Sequence, residues 1–158
     1  MKEIKRILFP VDLSEVSEKI APYVETMAEK FDAEIHLLFV ARVFDYFVSI
    51  YVPHPSIDLF EEQVNEGATK KLKEFKENHF AGISSVKTAV VSGDAAERIL
   101  VYIQEEKIDL VIMGTHGRKG LDRVIFGSVA NSVSKMAAAP VLLINPYRIP
   151  AILGNKQK

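Results

Sequence analysis

The residues able to do chemistry crowd between positions 113 and 128, which read Met-Gly-Thr-His-Gly-Arg-Lys-Gly-Leu-Asp-Arg-Val-Ile-Phe-Gly-Ser. Four of the eight glycines, Gly114, Gly117, Gly120 and Gly127, fall inside fourteen consecutive residues. Gly114 and Gly117 let a backbone turn tightly and approach a ligand with no Cβ in the way. Gly127 and Ser128 stand where a helix begins, and the unpaired N–H groups, the dipole and a hydroxyl at such a place hold anionic oxygens. A Gly-x-x-Gly pair alone only connects a strand to a helix; the whole constellation reads as a cradle for nucleotide phosphates. His116, within it, can polarise a phosphate or shuttle a proton near neutral pH, although its neighbours favour a main-chain phosphate contact. The basic pair Arg118 and Lys119 adds charge or is simply solvated.

Other chemistries are absent from the sequence. There is no Cys, which removes disulfides, thiolate zinc sites, iron–sulfur clusters and cysteine nucleophiles. His36, His54 and His79 are scattered without ligand spacing. No Gly-Lys-Ser/Thr occurs, so the loop is not a Walker A motif, and no Gly-x-Gly-x-x-Gly follows the first strand, which disfavours a dinucleotide oxidoreductase. No nucleophile–base pair, no glutamate placed to activate water and no arginine finger can be picked out, so any phosphoryl transfer is expected to be slow.

A chain of 158 residues is sized for one domain, expected over residues 1–146 with a flexible tail at 147–158. The 20 basic and 21 acidic side chains give a net charge of −1, which argues against a sequence-independent grip on DNA or RNA. With 48% hydrophobic and 26% charged residues the composition is that of a folded soluble protein. The start, MKEIKRILFPVD, lacks the features of a signal peptide, so a cytoplasmic location is expected. The most apolar region, Leu37 to Val52, is interrupted by Arg42, Asp45 and Ser49, so no membrane span is expected.

Hydrophobic patterning supplies the elements that must hold the glycine loop. Ile4 to Pro10 reads as a buried strand with Asp12 beyond its carboxyl end. Ser14 to Phe31 reads as a helix from its three- and four-residue apolar spacing, with Ser14 as cap and Pro22 expected to bend it. Glu34 to Ala41 is continuously apolar after its start and suits a central strand. Arg42 to Ser56, rich in aromatics and closing with Pro53 and Pro55, fits either a loop covering the core or a short helix used as a lid or in self-association. Ile57 to His79 is an amphipathic surface helix, with Lys70, Lys71 and Lys73 on its solvated face. Val86 to Val91 is a strand. Asp94 and Glu97 begin a helix in the manner of a capping box, Asp109 to Met113 is a strand, Ser128 to Ala138 a helix and Pro140 to Asn145 a final strand. Alternating strands and helices of this kind predict an α/β fold, a doubly wound five-stranded parallel sheet with helices on both faces. Ligands in such sheets lie beyond the carboxyl ends of the strands, where Asp12, Val40 and Gly114 fall.

The spacing Gly114-x-x-Gly117, nine residues, Gly127-Ser128 resembles the Gly-2x-Gly-9x-Gly-Ser/Thr signature of the ATP-binding branch of the universal stress protein family. Pro10-Val11-Asp12 and Ala139-Pro140-Val141-Leu142 are similar to that family as well, and the resemblance runs from Ile4 to about Asn145. It implies a Rossmann-like, adenine nucleotide alpha hydrolase-like fold with ATP as ligand, with or without Mg²⁺ or Mn²⁺. Pro10, Val11 and Asp12 would border the adenosine, and Val40 would meet adenine through its main chain. Met113 and Gly114 would lie at the ribose, and His116, Gly117, Gly127, Ser128 and Val129 around the phosphates. Ala130 departs from the hydroxyl residue common there in the family. Asp12 has two further readings, as a helix cap or as a water-mediated metal contact. The resemblance also implies a homodimer through the last strand, Val141, Leu142, Leu143 and Ile144, and a regulatory role in stress response through an unknown protein partner. A slow metal-dependent ATP hydrolase acting with a partner and a ligand-free interaction module are the alternatives.

Overall fold

The computed structural model describes residues 1–42, 54–116 and 127–147, with only the backbone described at 54–57. Gly117, Arg118, Lys119, Gly120, most of the aromatic segment and the tail beyond Tyr147 lie outside those residues.

Nine elements follow one another: β1 (Arg6–Val11), α1 (Glu15–Phe31), β2 (Glu34–Ala41), α2 (His54–His79), β3 (Val86–Ser92), α3 (Ala95–Glu105), β4 (Leu110–Gly114), α4 (Ser128–Met136) and β5 (Val141–Ile144). The strands form one parallel sheet in the order β3-β2-β1-β4-β5. Chain order runs outward from β1 in one direction and from β4 in the other, so the sheet has its switch point between these two strands. β1 is set in place at its amino end, where Asp109 Oδ2 accepts from the Lys5 and Arg6 N–H groups at 3.0 Å each.

Alternate strand residues feed two cores. Ile7, Phe9, Ile35, Leu37, Leu110 and Ile112 pack under α1 and α2, against Ile20, Val24, Leu72 and Phe75. Leu8, Leu38, Val111 and Met113 pack under α3 and α4, against Ile99, Tyr102, Ile103 and Val133. Both faces of the central strands are therefore sealed, which is why their sequences are continuously apolar.

Helix starts follow their sequence signals. Ser14 Oγ accepts from the Val16 N–H at 3.2 Å, and Asp94 Oδ1 from the Glu97 N–H at 2.9 Å, each satisfying a donor that the first turn leaves unpaired. α1 continues through Pro22. α2 begins at His54 rather than at Ile57: Pro55 falls in its first turn, where a missing N–H costs no helical hydrogen bond. α4 ends at Met136, two residues before the expected Ala138. Lys70, Lys71 and Lys73 are exposed, as expected of a solvated face. Among the described residues no helix is long and apolar enough to cross a membrane.

Candidate functional site

The strands are closed to solvent at their middles and open at their carboxyl ends. Leu8, Leu37, Leu38, Val111 and Ile112 are fully buried, whereas Pro10, Asp12, Val40, Gly114, His116, Gly127 and Val129 are partly exposed and Ser128 is exposed. The described residues among those singled out from the sequence lie at the carboxyl ends of β1, β2 and β4, in the links that follow β1 and β4, and at the amino end of α4; Gly117 lies outside the described residues.

The link from β1 to α1 is built around Asp12. Its Oδ1 accepts from the Ser14 N–H at 2.9 Å, the Ser14 hydroxyl at 2.6 Å and the Ser17 hydroxyl at 2.8 Å. The Ser17 Oγ in turn accepts from the Asp12 N–H at 3.1 Å. This network holds Leu13 at φ 58, in the left-handed region that a leucine adopts only when its surroundings compel it. Asp12 is thus part of the mounting of α1, and any ligand contact it makes shares the carboxylate with that role.

The link from β4 to α4 supplies the facing side. The Thr115 N–H donates to Ile144 O at 3.0 Å, which extends the β4–β5 pairing by one residue. Thr115 O accepts from the Gly127 N–H at 2.8 Å. One hydrogen bond therefore closes the loop, bringing the amino end of α4 against the carboxyl end of β4. Gly127 caps α4 without any side-chain hydrogen bond, in contrast to the caps of Ser14 and Asp94. The N–H groups of the first turn stand at the positive end of the helix dipole, with no side-chain cap among the described residues. Ser128 adds an exposed hydroxyl at the same place.

Gly114 serves packing as well as access. A Cβ there would come within 2.7 Å of Ile20 Cδ1, 2.9 Å of the His116 carbonyl oxygen and 3.3 Å of Val16 Cγ1. α1 can lie against the end of β4 because that side chain is missing. Val11 and Met113, each 6% exposed, point into the two cores, which leaves their side chains unavailable to a ligand. Ala130 is 3% exposed and belongs to the second core, so its methyl fills space that a hydroxyl would have to share with apolar neighbours.

His116 Nδ1 lies 2.7 Å from Thr115 Oγ1, and its ring stands edge-to-face with Tyr147, centroids 5.6 Å apart. Tyr147 carried no signal in the sequence, being an isolated aromatic after the last strand. Among the described residues no group of three His, Cys, Asp or Glu side chains is arranged to hold a metal ion.

Comparison with known proteins agrees with this architecture. Residues 3–145 match the sequence profile described as the universal stress protein family. The chain is 34% identical over 143 residues to universal stress protein MJ0531 of Methanocaldococcus jannaschii, covering 89% of this chain and 81% of that one. The structure of MJ0577 from the same organism superposes with a TM-score of 0.80 at 28% identity, covering 91% of this chain and 97% of the other. A family member from Arabidopsis thaliana, whose structure was solved with AMP bound, superposes with a TM-score of 0.59 at 22% identity, over 89% of this chain and 91% of its own.

Proposed function

The chain belongs to the universal stress protein family, and on that premise we propose that it is an ATP-binding member of the branch with the glycine signature, acting in the cytoplasm as a nucleotide-dependent regulatory module. The observation that carries this reading is the 2.8 Å bond from the Gly127 N–H to Thr115 O. It sets the amino terminus of α4, which starts from a glycine with no capping side chain, beside the carboxyl end of β4, the end of the sheet that also bears Asp12. Anionic oxygens at such a terminus meet several N–H groups at once, which is how a protein of net charge −1 can hold phosphates without a surplus of lysines.

In this reading the adenosine lies along Pro10, Asp12 and Val40, with the main chain of Val11. The ribose lies at Met113 and Gly114, and the phosphates at His116, Gly127, Ser128 and Val129, with Gly117 completing the loop. A divalent ion, where one accompanies the nucleotide, would be carried on phosphate oxygens with one or two carboxylates, Asp12 being a candidate. Residues 1–146, with Tyr147 packed against the first core, act as a single unit. The homodimer forms along β5, which ends the sheet and whose four side chains are half-buried, an edge that a second copy can cover.

Mass spectrometry of the native protein should find adenine nucleotide, and calorimetry should give measurable ATP affinity that Gly127→Val and Asp12→Ala weaken. An absence of ATP and ADP binding at millimolar nucleotide would remove the proposal. Sedimentation equilibrium tests the dimer, and a monomer at micromolar protein would refute it.

A further inference from the structure

Tyr147 lies three residues beyond β5 and joins three parts of the chain at the mouth of the site. Its N–H donates to Asn145 Oδ1 at 2.9 Å, an Asx turn that bends the chain back after the strand. Its ring packs against the first core. Lys19 of α1 sets its ammonium 5.3 Å from the ring centroid, within the range of a cation–π contact. The His116 ring stands against it at 77°, with centroids 5.6 Å apart, an edge-to-face pair.

An imidazole at the start of a loop has a broad torsional well about its terminal bond. Here, among the described residues, it is held from two directions. Thr115 Oγ1 engages Nδ1 at 2.7 Å, which leaves Nε2 as the ring nitrogen a phosphate oxygen can meet, and the Tyr147 ring restricts the remaining rotation. Thr115 is also the residue whose carbonyl holds Gly127, so the histidine and the helix terminus share one anchor.

We propose that Tyr147 is a positioning residue that fixes the His116 imidazole at the phosphate end of the site and so sets nucleotide affinity. This rests on the nucleotide reading above. Tyr147→Leu keeps an apolar cover over the core and removes the ring; Tyr147→Phe keeps the ring.

The test measures ADP affinity by calorimetry for both variants, alone and with His116→Asn, together with the His116 imidazole resonances of ligand-free protein by two-dimensional NMR. Tyr147→Leu is expected to weaken ADP binding by roughly three- to tenfold, with Tyr147→Phe restoring it to within about twofold of wild type on the same scale. In the His116→Asn background the leucine should have no further effect, since a residue acting only through His116 has nothing left to position. The His116 resonances should move in Tyr147→Leu as the ring current is lost. Equal weakening in both backgrounds, or ordinary ADP binding with unmoved His116 resonances, overturns the clamp alone. Failure of the wild type to bind ADP overturns the nucleotide reading and the affinity claim with it, and the ligand-free resonances still judge whether Tyr147 orients His116.

Discussion

Gly114→Ala adds a methyl carbon 2.7 Å from Ile20 Cδ1 and 2.9 Å from the His116 carbonyl oxygen. Carbon atoms pack comfortably at about 3.5–4.0 Å, so Ile20 must withdraw by most of an ångström. It is 1% exposed, in an interior that is close-packed. The His116 oxygen is backbone, so its retreat displaces the start of the loop that carries Thr115 and, through it, Gly127. Overpacking of this kind costs about 1–3 kcal/mol. At the middle of that range, a chain of this size should melt about 4–8 °C lower. Urea denaturation should show a lower midpoint with an unchanged m-value, and ATP affinity should fall because the Gly127 terminus moves. A second arm isolates the contact. Ile20→Val removes Cδ1 and should cost about 0.5–1.5 kcal/mol in the wild type, but close to nothing in Gly114→Ala, where it relieves the collision. A Gly114→Ala protein as stable as wild type, or an Ile20→Val cost that is the same in both backgrounds, would refute this account of the glycine.

Three further outcomes are expected. Burial pushes the His36 pKa below its ordinary value of 6.5, and the Ser85 hydroxyl on Glu34, followed by His36, holds that carboxyl below 4.5; in both cases the unfolded chain binds protons that the folded chain does not. Stability should therefore fall as pH drops below about 6.5, read as a declining urea midpoint, and a flat profile between neutrality and mild acid would contradict this. Tyr102→Phe removes the hydroxyl 3.0 Å from His36 Nδ1 and leaves a buried nitrogen unpaired, a loss of about 1–3 kcal/mol by denaturation; in the wild type Tyr102, pushed up to about 12 by burial, should be silent in a spectrophotometric titration through the ordinary tyrosine range. Asp12→Ala takes the acceptor from Ser14 and Ser17 and should cost about 1–2 kcal/mol of stability besides weakening nucleotide binding, whereas Asp12→Asn, which keeps an oxygen in place, should recover most of the stability and separate the two effects.

Much of the architecture is legible in local sequence because local physics sets it. The apolar run Glu34–Ala41 coincides with β2, and Ser14 and Asp94 cap the helices their positions announce. The crowded glycines mark the β4–α4 connection. These signals depend on periodicity, capping and backbone freedom within a few residues, and the strand and the two caps survive in the folded chain. Pro55 misleads for the same local reason: a proline reads as a break, yet a first helical turn accepts it.

The tertiary structure alone decided which distant residues meet. His36 looks isolated in sequence, but the register of β2 carries it beneath Tyr102, 66 residues away, while its other nitrogen meets Glu34, whose second oxygen accepts from Ser85 at 2.6 Å. Gly114 offers freedom of turning when read in its loop; folded, it is the hollow into which Ile20 of α1 fits. Tyr147 carries no pattern at all until the turn after β5 lays it against His116. Strand order, register and helix packing bring these groups within contact distance, and no spacing along the chain encodes that, because such contacts exist only once both cores have closed on the sheet.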